Sequence, residues 1–299
     1  MAPLRRDGNL SDREPAGFLS RSGFQLNEEE FELFRRLIHQ QTGINLSDHK
    51  RELIVSRLAK RLRLLNLKTF RDYYDFLTQD PTGEAEMGRM INRITTNKTE
   101  FYRENHHFVF LRDELLPSLV QAKERAGQRK LRVWSAACST GEEPYTIAIT
   151  MTDFFAERRG WDLKILATDL DTEVLARAAR GVYEPDRLGP VPRDVLARHF
   201  IPVPGPRPQA YRVRPDLQEM ILFRRFNLQQ PNFPFKSKLD FIFCRNVMIY
   251  FNQEDKIGLL ERFHRVLRPE GCIFVGHSES LMMVRHLFRY VKNTIYQKI

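Results

Sequence analysis

Residues Leu131–Tyr145 read LRVWSAACSTGEEPY, and the order of side chains in this stretch decides the fold. Leu131, Val133 and Trp134 give a short apolar run that predicts a buried strand. The side chains then shrink abruptly through Ser135, Ala136, Ala137, Cys138, Ser139, Thr140 and Gly141. A helix start follows: Ser139 or Thr140 can serve as N-cap, Glu142 and Glu143 occupy the first turn, and Pro144 is tolerated there. Tyr145–Met151 continues as an apolar, helix-compatible run. Strand, tight small-residue turn and helix N-terminus are how doubly wound α/β proteins make a nucleotide pocket. Here two glutamates would repel a pyrophosphate, and the glycine triplet of a dinucleotide site is missing. The pair suits a ligand carrying an amine or another cation. The structural alternative is that both carboxylates only complement the positive end of the helix dipole.

The next element bears on that choice. Leu163–Leu170 (LKILATDL) reads as a second strand, with Asp169 and Asp171 at its end and a helical run from Thr172 to Arg180. An acid at the end of the strand after a ligand-binding turn commonly takes the two ribose hydroxyls. Amine recognition followed by ribose recognition fits S-adenosylmethionine better than NAD or ATP.

The chain of 299 residues has room for two domains, and its 42% hydrophobic and 29% charged residues are ordinary for a globular protein. No apolar run approaches the about 20 residues needed to span a bilayer. Arg5, Arg6, Asp7, Asp12, Arg13 and Glu14 interrupt any secretory core near the start. Cys138, Cys244 and Cys272 fit no paired metal spacing, border predicted strands, and are expected to be buried reduced thiols of a cytoplasmic protein. Lys plus Arg number 48 against 38 Asp plus Glu, a net charge of +10 that favours an acidic partner. Charge sign alone does not choose among nucleic acid, anionic lipid and acidic protein.

Residues 1–20 are polar, carry Pro3, Gly8, Pro15 and Gly17, and are expected to form a disordered tail. A helical module follows over 21–94. Asn27 is a credible N-cap for Glu28–Gln41, with Phe31, Phe34, Leu37 and Ile38 on the buried stripe and Gly43 as the stop. A second helix starts at Ser47 or Asp48 and runs to about Leu65, placing Leu53, Ile54, Leu58, Leu62 and Leu65 on one side. Arg57, Lys60, Arg61 and Arg63 lie mostly on the other side, either as a solvated face or as a dock for an acidic partner. Further helices are expected over Thr69–Thr78 and Gly83–Ile94.

Residues 95–108 (TTNKTEFYRENHHF) form a polar linker from which Asn97, Thr99 and Arg103 can reach the cleft of Glu143. His106 and His107 are adjacent and should point apart on a helix, so no metal site is expected. An insertion over about 190–226 breaks the α/β rhythm, with Tyr211–Val213 and Met220–Phe226 as its antiparallel strands. The rhythm returns at Leu239–Cys244 (LDFIFC), ending in Arg245–Asn246. A helix over Gln253–Leu267, a strand over Cys272–Gly276 and a last strand over Thr294–Lys298 complete the domain begun at 109.

The stretches TTNKTEFYREN, VWSAACSTGEEPY, ATDLDTEVL, FCRNVMIYF and VGHSES together resemble the chemotaxis receptor methyltransferases of the CheR type. The resemblance spans about Gly23 to Ile299. It implies an α/β fold: a Rossmann-like S-adenosylmethionine methyltransferase domain with a small antiparallel β-subdomain, preceded by an all-α N-terminal domain. It implies that Asn97, Thr99, Arg103, Glu143, Asp169, Asn227, Leu228, Arg245 and Asn246 line the cofactor pocket. It assigns Arg103 and Tyr250 a part in catalysis, and the helix of Arg57, Lys60, Arg61 and Arg63 the docking of substrate. The implied activity is methyl esterification of glutamates on the cytoplasmic helical domain of chemoreceptors, yielding S-adenosylhomocysteine. The enzyme is then expected to be a cytoplasmic monomer, recruited to membrane receptor arrays without inserting in the membrane.

Some relatives hold a receptor tether peptide on a glycine-containing loop of the β-subdomain. The corresponding stretch here, IPVPGPRPQAY, is proline-rich, and proline removes the N–H donors that strand addition needs. Two rival readings differ in class. A nucleic-acid methyltransferase is suggested by the net charge and by Asn232–Phe235 (NFPF), but that motif belongs after the strand ending at Cys244, where Arg245–Asn246 stand. A non-catalytic cofactor-binding docking protein should have lost Arg103 or Tyr250, and both are present. No nucleic-acid partner is therefore expected.

Overall fold

The computed structural model describes residues 23–205 and 210–299. The expected tail over 1–20 lies outside them, as do residues 206–209 of the proline-rich stretch.

The helical layer begins with α1 (Glu28–Thr42), which opens on a reciprocal cap. Asn27 Oδ1 accepts from the Glu30 amide at 2.8 Å, and Glu30 Oε2 accepts from the Asn27 amide at 3.0 Å. Gly43 stops it at φ 75°, a left-handed position that favours glycine. A 3-10 turn (Asp48–Lys50) leads into α2 (Arg51–Leu64), then α3 (Phe70–Gln79), capped by Thr69, and α4 (Gly83–Ile94). Phe31, Phe34, Ile54, Leu58, Phe70 and Tyr73 close a separate core between these helices. The predicted stripes of α1 and α2 both point into it.

The linker enters α5 (His106–Phe110), continues through a π-helical segment (Leu111–Leu115) and becomes α6 (Leu116–Arg125). The α/β alternation then runs β1 (Lys130–Ala136), α7 (Glu142–Phe155), β2 (Asp162–Asp169) and α8 (Thr172–Arg180). An interruption supplies β3 (Val182–Tyr183), α9 (Arg193–His199), β4 (Phe200–Pro202), β5 (Tyr211–Val213) and α10 (Pro215–Glu219). The chain finishes with β6 (Ile221–Arg225), β7 (Leu239–Cys244), α11 (Gln253–Val266), β8 (Leu267–Phe274), β9 (Phe288–Lys292) and β10 (Ile295–Lys298).

The main sheet has the order β6-β2-β1-β7-β8-β10-β9. β6, β2, β1, β7 and β8 are parallel, and β10 runs antiparallel to both its neighbours. From β1 the chain steps outward to β2 and β6, then returns to β7 on the other flank. That reversal opens a crevice at the carboxyl ends of β1 and β7, where open α/β sheets bind ligands. All six residues of β7 are buried, including Asp240, which interrupts the apolar run and is paired with Lys123 at 2.7 Å and Arg268 at 3.3 Å.

Two expectations need correction. Met220–Phe226 does not belong to the antiparallel insertion: Ile221–Arg225 pairs in parallel with β2 at the edge of the main sheet. A short strand with one face exposed fits either place, and only the partner decides. The small sheet is instead β3-β5-β4, antiparallel throughout, with the proline-bearing β4 at an edge where no ladder donor is missed. The last strand also has a hairpin partner, β9, that the periodicity did not reveal.

The helical layer sits against the mouth of the crevice. The Asn45 amide donates to the Tyr250 carbonyl at 2.7 Å, Asn227 Nδ2 donates to the Gln41 carbonyl at 2.8 Å, and His39 meets Asp255 at 2.8 Å. Among the described residues no helix is long and apolar enough to cross a membrane. Cys138, Cys244 and Cys272 are buried and unbridged.

Candidate active site

The turn after β1 is built from left-handed residues: Ala137 (φ 64°), Ser139 (φ 50°) and Gly141 (φ 96°). Alanine and serine at positive φ carry strain that the surrounding structure must hold. Gly141, not Ser139 or Thr140, is the cap of α7. A Cβ there would stand 2.8 Å from Ala178 Cβ and 2.9 Å from Tyr183 Oη, so the turn admits no side chain. The two hydroxyls work elsewhere. Ser139 Oγ donates to the Asn97 carbonyl at 2.9 Å, and Thr140 Oγ1 donates to Glu142 Oε2 at 2.7 Å.

The two glutamates separate in role. Glu142 is fully buried and ion-paired with Arg187, so it is not part of the cleft. Glu143 lines the cleft, with Oε1 accepting from Ser135 Oγ at 2.7 Å and Oε2 lying 3.3 Å from Arg245 Nη1. Burial pushes its pKa up, and Arg245 opposes that shift. At the end of β2, Asp169 accepts from the Ser139 amide at 2.8 Å and the Asp171 amide at 3.0 Å. Burial outweighs these bonds and raises its pKa to about 6. Each of its oxygens keeps one lone pair for a ligand.

The linker is sewn to this floor. Asn97 Nδ2 donates to Asp171 Oδ2 at 2.7 Å, and Asp171 in turn caps α8. Arg103 Nη1 donates to the Lys98 carbonyl at 2.9 Å, while the Arg103 carbonyl accepts from Arg245. Leaving β6, the Phe226 amide bonds the Asp169 carbonyl at 2.9 Å and sets Asn227 and the buried Leu228 beside the carboxylate. Arg245 and Asn246 follow β7. Arg245 is buried between Glu143 and Glu104, and Asn246 takes φ 58°.

Every residue assigned to the cofactor by resemblance lines one cleft of about 1270 Å³ between helical layer and sheet, open to solvent. Tyr250 and Arg57 share that lining, as do Lys50 and Lys98, which no motif singles out. The helix of basic residues is less uniform than its spacing suggested. Arg57 donates to the carbonyls of Ile94 and Thr95 and to Thr96 Oγ1. Arg61 makes a bidentate pair with buried Glu86 at 2.6 and 2.7 Å, and the Tyr73 hydroxyl joins it at 2.9 Å. Arg63 lies over the Phe24 ring at 5.7 Å, and Lys60 is exposed.

Three positioning residues were quoted within motifs without a role. Glu279 takes the amides of Asn246 at 2.9 Å, Gly276 at 2.6 Å and Ile249 at 3.3 Å, and so holds the loop that carries Asn246 and Tyr250. A Cβ on Gly276 would come within 2.3 Å of Asn246 Nδ2, so this close approach requires glycine. Glu104 meets Arg245 at 3.4 Å. Gly276 and Glu279 follow the end of β8 and Glu104 precedes α5, so their role is legible only once the neighbours across the fold are known. By contrast, Phe233 and Phe235 of NFPF pack on Trp134 with ring centroids at 5.2 and 4.8 Å, outside the cleft. His106 and His107 do not point apart: their rings lie 4.3 Å apart.

The CheR methyltransferase SAM-binding domain family matches residues 97–297, and the CheR methyltransferase all-alpha domain family matches residues 29–95. The chain belongs to the CheR methyltransferase family. It is 41% identical over 284 residues to chemotaxis protein methyltransferase 2 of Pseudomonas aeruginosa, covering 94% of this chain and 97% of the relative. It is 40% identical over 272 residues to the chemotaxis protein methyltransferase of Escherichia coli, covering 91% of each. Among solved structures, the glycopeptide N-methyltransferase MtfA complexed with S-adenosylmethionine aligns at TM-score 0.30 and 16% identity, over 53% of this chain and 52% of that one.

As a CheR family member the chain is a methyltransferase of chemotaxis that uses S-adenosylmethionine. Its cleft fits that cofactor chemically. Glu143 is an acceptor for an ammonium, Asp169 has lone pairs free for sugar hydroxyls, and Leu228 and Phe226 offer an apolar wall. Of the small residues of the turn, Ala137 and Ser139 border the cleft, while Gly141 lets the turn pack closely on Ala178 and Tyr183.

Proposed function

We propose that this enzyme methylates glutamate side chains on the cytoplasmic helices of chemoreceptors, acting as a protein-glutamate O-methyltransferase. The observation that carries the reading is the polarity of the cleft. Carboxylates of Glu143 and Asp169 stand toward the sheet, and Lys50, Arg57, Lys98 and Arg103 line the same space with Tyr250. A cationic donor and an anionic acceptor each find opposite charge in one cavity.

When bound, S-adenosylmethionine supplies an electrophilic methyl on sulfur. Glu143 would hold the ammonium and Asp169 the ribose, with Asn227 and Leu228 lining the rest of the pocket. A glutamate carboxylate, pKa about 4.3 in the open chain, arrives already ionised near pH 7, so no general base is needed. What the chain provides is alignment, worth about 7–11 kcal/mol for a bimolecular step, and exclusion of water while opposite charges cancel. Tyr250 orients the acceptor oxygens. Arg103, anchored on the Lys98 carbonyl, guides the carboxylate without a tight ion pair, because a tight pair would stabilise reactant more than transition state.

Lys60 and Arg57 are the docking cations. Arg61 and Arg63 shape the helix that presents them, through Glu86 and the Phe24 ring. Tritiated methyl transfer onto soluble receptor helices tests the reading. Label should be released as methanol by mild base and should map to glutamate peptides. Base-stable label, or label on nucleic acid, would overturn it.

A further inference from the structure

Beside the cleft, behind Arg245, lies a group of donors that methyl transfer does not use. Among the described residues, Glu104, His106 and His107 bring a carboxylate oxygen and two ring nitrogens within 4.8 Å of one another. They meet because Glu104 adopts φ 56°, turning its side chain back over the first turn of α5.

The bonding of this group is lopsided. Glu104 Oε1 faces His277 Nδ1 at 3.1 Å, the His277 amide at 3.3 Å and Asn246 Nδ2 at 3.5 Å. Oε2 accepts no hydrogen bond and looks at His107 Nδ1, 3.7 Å away, which has no hydrogen-bond partner either. His107 is fully buried, and its Nε2 lies 2.8 Å from the Asn293 carbonyl. A carbonyl only accepts, so Nε2 carries the ring proton and Nδ1 presents its lone pair to the carboxylate. Two electron pairs therefore face each other in a buried place; Arg245 Nη2 stands 3.4 Å from Oε2 without a hydrogen bond to it, and nothing bonds Nδ1, so the space between them suits a cation.

We propose that Glu104, His106 and His107 form a site for a borderline divalent transition ion such as Zn²⁺, and that its occupation opposes cofactor binding. Imidazole nitrogens with a carboxylate are the donor set such ions select. The Nε2–H bond to Asn293 is the kind of outer bond that orients a metal-ligating histidine. Ligands about 2.1 Å from a shared tetrahedral ion stand about 3.4 Å apart, so atoms now as much as 4.8 Å apart close by up to about 1.4 Å on binding, a movement the exposed His106 side chain can supply. His277 Nδ1 sits on the other oxygen of Glu104 at 3.1 Å and fixes the orientation of the carboxylate.

The link to the cofactor is Arg245. Its Nη2 lies 3.4 Å from Glu104 Oε2 and its Nη1 3.3 Å from Glu143 Oε2. A dication on Oε2 competes with the guanidinium for that oxygen and drives it toward Glu143. Glu143 stays ionised, but the site then holds a second buried positive charge beside Arg245, which repels a cationic ligand. This second step rests on the assignment of Glu143 in the proposed function; ion uptake does not.

The test titrates ZnCl₂ into the untagged, chelator-stripped full chain by calorimetry, then measures cofactor affinity with and without one equivalent of zinc. One ion per chain is expected, bound at least tenfold more weakly by His106→Ala and by Glu104→Gln. Cofactor affinity should fall severalfold with zinc in the parent and not in His106→Ala. His106 is exposed, so that variant keeps the fold, and circular dichroism checks both. No stoichiometric uptake, or uptake unchanged in both variants, overturns the site. Uptake with unchanged cofactor affinity overturns the antagonism, while Glu143→Gln still reports separately on the cofactor assignment.

Discussion

Arg245 Nη1 stands 3.3 Å from Glu143 Oε2, so the carboxylate assigned to the cofactor's ammonium already has a buried cation beside it. Burial alone pushes Glu143 toward its neutral form, and Arg245 is the charge that keeps it ionised. Replacing Arg245 with Met should therefore weaken cofactor binding although it removes a positive charge from a cationic ligand's site. Glu143→Gln should cost about 1.5–3 kcal/mol, the worth of a charged hydrogen bond, or about 10- to 150-fold in Kd. Calorimetry with S-adenosylhomocysteine measures both. A tighter complex in Arg245→Met would contradict the assignment.

Asp169, with its pKa raised to about 6 by burial, makes cofactor binding pH-dependent. Its ionised form offers acceptors to the ribose, so affinity should be full near pH 8 and decline as pH falls through about 6. The free chain's stability has the opposite sign. A carboxylate whose folded pKa is raised contributes stability below its unfolded pKa of about 3.9, and that contribution is lost as pH rises through the folded value. Asp169→Asn should abolish the acid limb in affinity, measured by titration at each pH.

Arg61 shares its helix with Arg57 and Lys60, yet it closes on Glu86, a carboxylate with 1% of its side chain exposed. Removing one partner of a buried pair costs about 3–5 kcal/mol when the other charge is stranded; here Arg89 at 3.2 Å and the Tyr73 hydroxyl at 2.9 Å still hold Glu86, so the cost should fall below that range. Arg61→Ala should therefore lower the denaturation midpoint of the helical layer and affect receptor methylation only through stability. Urea unfolding of the variant provides the measurement.

Lys60 is exposed and Arg57 is tied to the carbonyls of Ile94 and Thr95. Lys60→Glu should raise KM for receptor with little change in kcat, and the defect should shrink at high salt, where surface charges are screened. Arg57→Ala should lower kcat as well, because it frees the linker that carries Asn97 and Arg103. Initial rates at varied receptor and salt separate the two.

Tyr250 is held by its backbone, through the Asn45 amide at 2.7 Å. Tyr250→Phe should leave cofactor affinity unchanged and lower kcat by about 10- to 100-fold, the loss expected when one orienting hydrogen bond is removed. Equal kcat in the variant would remove Tyr250 from the mechanism.

Local signals made much of this architecture legible. The abrupt change from Trp134 to Gly141, the caps at Asn27 and Thr69, and the apolar run Leu239–Cys244 each depend on neighbours a few residues away. The acids ending β1's turn and β2 were found for the same reason. The pairing of Ile221–Arg225, the hairpin partner Phe288–Lys292 and the division of labour between Glu142 and Glu143 were not, since each is settled by a residue distant along the chain.

The sequence determined which segments are strand or helix, which faces are apolar and where a cofactor turn must lie, because periodicity, capping and steric freedom are written over short windows. Only the tertiary structure decided which carboxylate faces the cleft, which arginine is a strut, and that Glu104 confronts His107. Those outcomes depend on burial and on charges brought together across the fold, where a few ångströms decide whether two groups pair, repel or await an ion.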